Sequence, residues 1–299
     1  MSIPLGSFLL RWYHPLGSNL IDCQFEEGGQ LGDTASTMKA KFFEDLAKYP
    51  LCNFYLQDCV ESMSHAEVKE DLEAESHLSL LQHFDQPDQM CRLEDLFAKT
   101  LETFCLSKEE LKGKAQVNFD TYDMKGFESV RAVFRVANAL SEAGFTELAF
   151  LGGKGLADLK ATKDGQRWFI EVKALVLQTK PQEFEVDGKT ETLAVDRFQP
   201  ESCNIAEYVN AVCRLVAGNH IQKARKQLLN TVEIEGAAKK MAAIAVNLFA
   251  ADFFLDSGNL NEVEARLHGK REGWGKDYLV DIDALAFITN SLYLSCYSN

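Results

Sequence analysis

The amino-acid sequence predicts an α/β protein of the α+β kind, in which a helical N-terminal extension precedes an αβββαβ series of elements. Three observations carry this. Residues 36–113 place apolar residues three and four apart without strand alternation. Residues 147–175 hold three extended segments divided by Gly-Gly and Asp-Gly pairs. Helical text then returns near Ile205 and leads into a compact apolar run, Met241–Phe249, suited to a buried strand.

In order, Met38–Tyr49, Ala66–Phe84 and Leu93–Cys105 read as helices, and Ser107 with Glu110 forms a capping-box pattern that opens another. Together they make residues 1–117 an acidic, mainly helical extension. The texture changes over Asn118–Gly126. Phe127, Val130, Phe134, Ala137 and Leu140 then share one helical face, and Gly144 ends that helix. Glu147–Leu151, Leu156–Ala161 and Arg167–Leu175 follow as strands, the last two joined by Asp164-Gly165, a strong hairpin-turn signal. A second such pair, Asp187-Gly188, lies between Phe184–Val186 and Thr190–Val195, so residues 178–200 read as an inserted hairpin or loop. Ile205–Leu229 is helical with an interruption near Gly218. The tail has a Gly- and charge-rich loop at Gly269–Gly275 and an apolar segment from Tyr278 to Leu294 that suits strand, helix or both. Residues 118–299 thus form the second domain.

Composition narrows the function classes. No run approaches the roughly 18 apolar residues of a membrane span, and the N-terminus lacks the basic start and long apolar stretch of an export signal. The eight cysteines are scattered without a C-x-x-C pair, as expected of buried free thiols. A cytoplasmic protein is the expectation, with no membrane partner.

The net charge of −14 argues against a nucleic-acid enzyme until its distribution is considered. Residues 1–119 hold 10 basic and 20 acidic residues, 120–250 hold 17 of each, and 251–299 hold 4 and 8. The acid lies mostly outside the middle segment, where it keeps the chain soluble, repels nucleic acid or binds a basic protein partner.

The middle segment carries the chemistry. Alternation along Trp168-Phe169-Ile170-Glu171-Val172-Lys173 puts Glu171 and Lys173 on one face and Ile170 and Val172 on the packing face. Asp158 and Lys160 alternate likewise on the preceding strand, and the Asp164-Gly165 turn brings Asp158 beside Glu171. Two close carboxylates repel unless a cation lies between them, and a hard ion such as Mg²⁺ satisfies both, with Lys173 at its flank. Phosphodiester cleavage calls for an activated water and for positive charge where negative charge develops. The ordinary alternative is a cross-strand ion pair on a solvated face, worth about 0–1 kcal/mol.

Asp158, twelve intervening residues and Glu171-Val172-Lys173 resemble the PD-(D/E)XK signature of the restriction-endonuclease-like nuclease superfamily. The usual proline before the first acid is Ala157 here. The resemblance covers roughly residues 120–250 and implies an αβββαβ core with a mixed central sheet. It also implies a Mg²⁺-dependent deoxyribonuclease in which Mn²⁺ can substitute, Asp158 and Glu171 bind metal, and Lys173 acts as base or positions the water. By the same resemblance the Val172 carbonyl and Glu128, at the start of the first core helix, support the metal. An acid in a first helical turn is also favoured simply by the helix dipole.

The segment from Asn219 to Leu229 resembles the second core helix. Lys223 and Gln227 share a face opposite Ile221, Ala224 and Leu228, so Lys223, Gln227, Lys226 and Lys160 are the candidates for DNA contact, with an ordinary solvated helix face as the alternative for the helical ones. His220 suits a cap, the core or a phosphate contact. His65, His77 and His83 read as surface residues of the extension. Gly152-Gly153-Lys154-Gly155 lacks phosphate-loop spacing and reads as a flexible turn. A rival function is a catalytically silent nucleic-acid-binding or assembly module whose acidic extension recruits a protein. That extension is equally compatible with regulating DNA access, and a homodimer would suit an enzyme that cuts both strands.

Overall fold

The computed structural model describes residues 40–56, 88–115, 124–175, 182–193, 210, 212–246, 257–288 and 292–296. The described residues up to Val130 and those from Arg131 onward belong to two compact units. The division falls inside a helix that begins the expected second domain.

Among its described residues the first unit is helical. Residues 40–46 form a helix that stops short of Tyr49, because Pro50 cannot continue it and instead opens α1 (Pro50–Tyr55) at the position where a missing N–H costs nothing. The Glu94 carboxylate accepts from the first free amides of α1, Leu51 at 3.0 Å and Cys52 at 2.8 Å. Glu94 belongs to α2 (Gln89–Phe104), whose Met90, Leu93 and Phe97 are buried. Phe97 lies against Tyr55, with ring centroids 4.4 Å apart. The Ser107–Glu110 capping box forms as read and opens α3 (Lys108–Lys114). Cys52 is buried as expected, whereas Cys105, in a left-handed conformation at the end of α2, is exposed. The expected helix at Ala66–Phe84, with His65, His77 and His83, lies outside the described residues.

Helix α4 (Met124–Glu142) carries Phe134, Ala137 and Leu140 fully buried and closes with Gly144 at φ +83°. Strands β1 (Thr146–Phe150), β2 (Leu159–Lys163) and β3 (Gln166–Leu175) form an antiparallel meander. Asp164 and Gly165 both take positive φ, as the tightest hairpin turn requires. A second hairpin, β4 (Gln182–Val186) and β5 (Lys189–Leu193), turns at Asp187-Gly188 in the same conformation.

A π-helical turn over Val216–Ile221 precedes α5 (Gln222–Glu235), so the interruption read near Gly218 is a widened turn, not a break. A Cβ on Gly218 would collide with the Glu185 carbonyl, which shows how closely the hairpin backbone packs there. Helix α5 returns the chain to β6 (Lys239–Val246), parallel to β3. Helix α6 (Ser257–Leu267) leads to β7 (Ala284–Ile288), parallel to β6, and β8 (Leu292–Cys296) pairs antiparallel at the edge. The ambiguous tail is therefore two strands.

The six strands run in the order β1-β2-β3-β6-β7-β8, a mixed sheet with β3 and β6 at its centre. Central position explains the apolar text of residues 241–245 in β6 and 284–288 in β7, which are buried. Among the described residues no helix is long and apolar enough to cross a membrane.

Candidate active site

The sheet register extends the Leu159–Ile170 pairing by one step to Asp158 opposite Glu171. Asp158 itself is not on the strand. It occupies the bend one residue before β2, which corrects the expected strand at Leu156–Ala161. The physical reason is that the backbone just before it bonds to side chains of α5 instead of to a neighbouring strand. The Leu156 carbonyl accepts from Gln227 Nε2 at 3.3 Å, and the Ala157 amide donates to Thr231 Oγ1 at 2.7 Å.

A second correction concerns β3. Glu171 and Lys173 were expected on an open face, but Trp168 through Val172 are all buried, and Glu171 is only 1% exposed. The Phe169 face, which strand periodicity gives to Glu171 and Lys173 as well, is covered by α5 through a cluster of Phe169, Leu228 and Ala157. Lys173, further along, keeps a side chain 21% exposed.

The polar contacts join these residues into one group. Asp158 Oδ2 accepts from the Val172 amide at 2.8 Å, tying the bend to β3. Lys173 Nζ donates to Glu171 Oε1 and, at 2.8 Å, to Gln227 Oε1. Gln227, expected as a DNA contact, thus reaches both Lys173 and the Leu156 carbonyl. Glu171 Oε2 and the Trp168 indole nitrogen are the buried side-chain polar atoms that lack a hydrogen-bond partner among the described residues.

Electrostatics follow from this crowding. Burial, then the neighbouring Asp158 charge, push the Glu171 carboxyl up to about 8, against the opposing pull of Lys173. Burial also raises Asp158, partly offset by the Val172 amide and the Lys173 charge. Two carboxyl groups that both resist ionisation, one with an unsatisfied oxygen, form a site deficient in positive charge. A hard divalent cation fits that donor set, since Mg²⁺ is commonly held by one or two carboxylates and keeps several of its waters. Among the described residues no group of three or more His, Cys, Asp and Glu side chains is gathered for metal binding. The fit therefore rests on the Asp158–Glu171 pair.

The other candidates separate. Glu128 is buried at 2% exposure within α4, on the first unit's side of the division. Val172 is 6% exposed, and its amide is the group that holds Asp158. Lys160 is half-buried and pairs with Phe169 across β2 and β3. Lys223 and Lys226 are exposed on α5; of the expected face only Gln227 reaches the carboxylate site.

His220 resolves toward a structural role. Its Nδ1 faces the Leu215 carbonyl at 3.3 Å and its Nε2 the Ala174 carbonyl at 3.2 Å, joining the π-helical turn to β3, and burial pushes its pKa down to about 4. In the neutral ring one nitrogen carries a proton, so one of the two contacts is a hydrogen bond. The Gly152–Gly155 turn is held by Asn230 Nδ2, which donates to the Gly155 carbonyl at 2.9 Å.

Asn230 and Thr231 were missed by sequence reasoning. A signal for Thr231 was present: it follows Ala224 and Leu228 along the buried stripe of α5, where a hydroxyl needs a partner. No family model matches this chain, and neither a curated protein nor a solved structure is significantly similar to it.

Proposed function

We propose that the second unit is a divalent-cation-dependent nuclease that hydrolyses phosphodiester bonds in DNA. The observation that carries this reading is the pairing of buried Glu171 with half-buried Asp158, held on neighbouring segments with Lys173 beside them and, among the described residues, one Glu171 oxygen without a hydrogen-bond partner. A buried charge deficit of this kind destabilises the fold unless a ligand uses it, which favours function over a surface ion pair. Further support comes from the element order α4-β1-β2-β3-α5-β6, with the first three strands antiparallel and β6 parallel to β3. That is the order expected of a restriction-endonuclease-like core, and it agrees with the signature-like residues.

In this reading Asp158 and Glu171 hold Mg²⁺ or Mn²⁺, with the Val172 carbonyl as a candidate support. The bound cation would supply Lewis-acid charge at the scissile phosphate and a more acidic water. Lys173 keeps its ammonium directed by Gln227 and Glu171 toward the mouth of the pair, where it orients water or relays a proton. Gln227 holds that ammonium, and exposed Lys223 and Lys226 on the same helix offer charge to a DNA backbone.

The test is cleavage of plasmid, linear and single-stranded DNA with Mg²⁺ or Mn²⁺, beside EDTA and Lys173→Ala. Metal-dependent cutting is expected, reduced at least about 100-fold in Lys173→Ala, the range for loss of a general acid or base. Equal cutting by Lys173→Ala would refute the assignment of Lys173. No cutting of any substrate would refute the nuclease and favour a silent binding module.

A further inference from the structure

Three side chains of α5 reach the segment that leads into Asp158. Gln227 donates to the Leu156 carbonyl at 3.3 Å, Asn230 donates to the Gly155 carbonyl at 2.9 Å, and Thr231 accepts from the Ala157 amide at 2.7 Å. Positions 227, 230 and 231 lie on one flank of a helix, and they address three consecutive residues of the loop.

Thr231 differs from the other two. It is fully buried, and so is Ala157. Its hydroxyl proton goes to the Gln227 carbonyl one turn back, at 2.8 Å. That bond fixes the rotor and leaves the oxygen lone pairs for the Ala157 amide. The amide has no access to water, so Thr231 determines where this peptide sits. The next residue is Asp158, whose carboxylate is held from the other side by the Val172 amide at 2.8 Å.

We propose that Thr231 is a positioning residue for Asp158: its hydroxyl fixes the peptide before Asp158 and thereby the spacing of the Asp158–Glu171 carboxylate pair. The inference rests on the reading of that pair as a cation site. Groups that orient metal ligands without touching the metal typically change affinity by about 10–100-fold when removed. The hydroxyl of Thr231 acts on the ligand's backbone, one bond path removed from the carboxylate. Valine keeps the shape of threonine but removes the acceptor; serine keeps the acceptor.

The experiment is calorimetric titration of the full chain with Mn²⁺, comparing the wild type, Thr231→Val, Thr231→Ser and Asp158→Asn, each with a thermal melt to establish that it is folded at the titration temperature. The wild type is expected to bind Mn²⁺, Asp158→Asn to lose binding, Thr231→Val to bind about tenfold or more weakly, and Thr231→Ser to restore the affinity. Wild-type affinity in Thr231→Val overturns the positioning role and leaves the cation site standing. A wild type that does not bind Mn²⁺, or an Asp158→Asn protein that binds as the wild type does, overturns the cation site and this inference with it. If Thr231→Val melts too low to titrate, Thr231→Cys, with its weak sulfur acceptor, takes its place. It is expected to bind more weakly than Thr231→Ser, and equal affinities overturn the role.

Discussion

Replacing Glu171 with glutamine should make the metal-free protein more stable, most of all at alkaline pH. The substitution keeps the shape of a side chain that is 1% exposed and removes its ability to ionise. In the wild type the Glu171 carboxyl rises from 4.5 to about 8, chiefly through burial and then through Asp158. Between those values the folded protein holds a proton that the unfolded chain has released. Stability contributed by this group is therefore present at low pH and is lost as pH rises through about 8. At about 1.4 kcal/mol per pH unit the full span is worth roughly 5 kcal/mol, and relaxation of the site lowers the expected gain to about 2–5 kcal/mol. Glutamine keeps an oxygen to accept from Lys173, so it retains the contact that matters most to packing.

Thermal unfolding followed by circular dichroism in EDTA, at pH 5 and pH 9, measures the difference. For a unit of this size 1 kcal/mol is about 2–4 °C, so Glu171→Gln should melt roughly 5–15 °C above the wild type at pH 9 and close to it at pH 5. Adding Mn²⁺ should raise the wild type and leave the variant unmoved, because a ligand stabilises only the form that binds it. A wild type at least as stable as Glu171→Gln at pH 9 in EDTA would refute the charge deficit, and with it the main support for a cation site.

Two further substitutions probe the surroundings. His220 has its pKa pushed down to about 4, so its contribution to stability is present above 6.5 and is lost as pH falls toward 4, with roughly 3 kcal/mol at stake. Glu171 acts with the opposite sign over part of that window, so denaturation is best measured in the Glu171→Gln background at pH 4.5 and 7. His220→Asn should flatten the acid loss there; an unchanged pH slope would show that His220 does not titrate as described. Gly218→Ala drives a methyl into the Glu185 carbonyl and should cost about 1–3 kcal/mol, read as a lower melting temperature and faster proteolysis of the β4–β5 hairpin. Unchanged melting and proteolysis would mean that the hairpin yields at no cost.

Local signals carried well from sequence to fold. Both Asp-Gly pairs became turns with two consecutive positive φ values, and Ser107 with Glu110 formed its reciprocal cap. These features depend on four or five adjacent residues, whose preferences no distant contact had to override. The residues of the candidate site were visible in the sequence, but their setting was not. Alternation located Glu171 and Lys173 on one face, yet it could not tell that the face is covered, because the covering group lies far away in sequence: Gln227 is 54 residues from Lys173. The departure of Asp158 from its strand has the same origin. Thr231, 74 residues from Ala157, supplies the acceptor that a neighbouring strand would otherwise provide. The π-helical turn likewise left only an irregularity near Gly218, where the Glu185 backbone, more than thirty residues away in sequence, comes close.

That turn bears on which changes in chain length the fold can absorb. Residues 212–215 and α5 are consecutive parts of one helical run, and both bury apolar side chains: Val212, Cys213 and Leu215 before the turn, Ala224 and Leu228 after it. Each helical residue turns the chain by about 100°. Deleting one residue within Val216–Ile221 would leave a more regular and individually better helix. Because a π turn takes up one more residue than the α geometry it interrupts, the faces before and after it would keep their phase, with Cys213 still turned to the core and Gln227 still to Lys173. The widened turn takes up a residue that a uniform helix of the same length could not hold while keeping both faces inward, so a lost codon at this point should be less harmful than one inside α5, where about 100° of phase would be lost between the two faces.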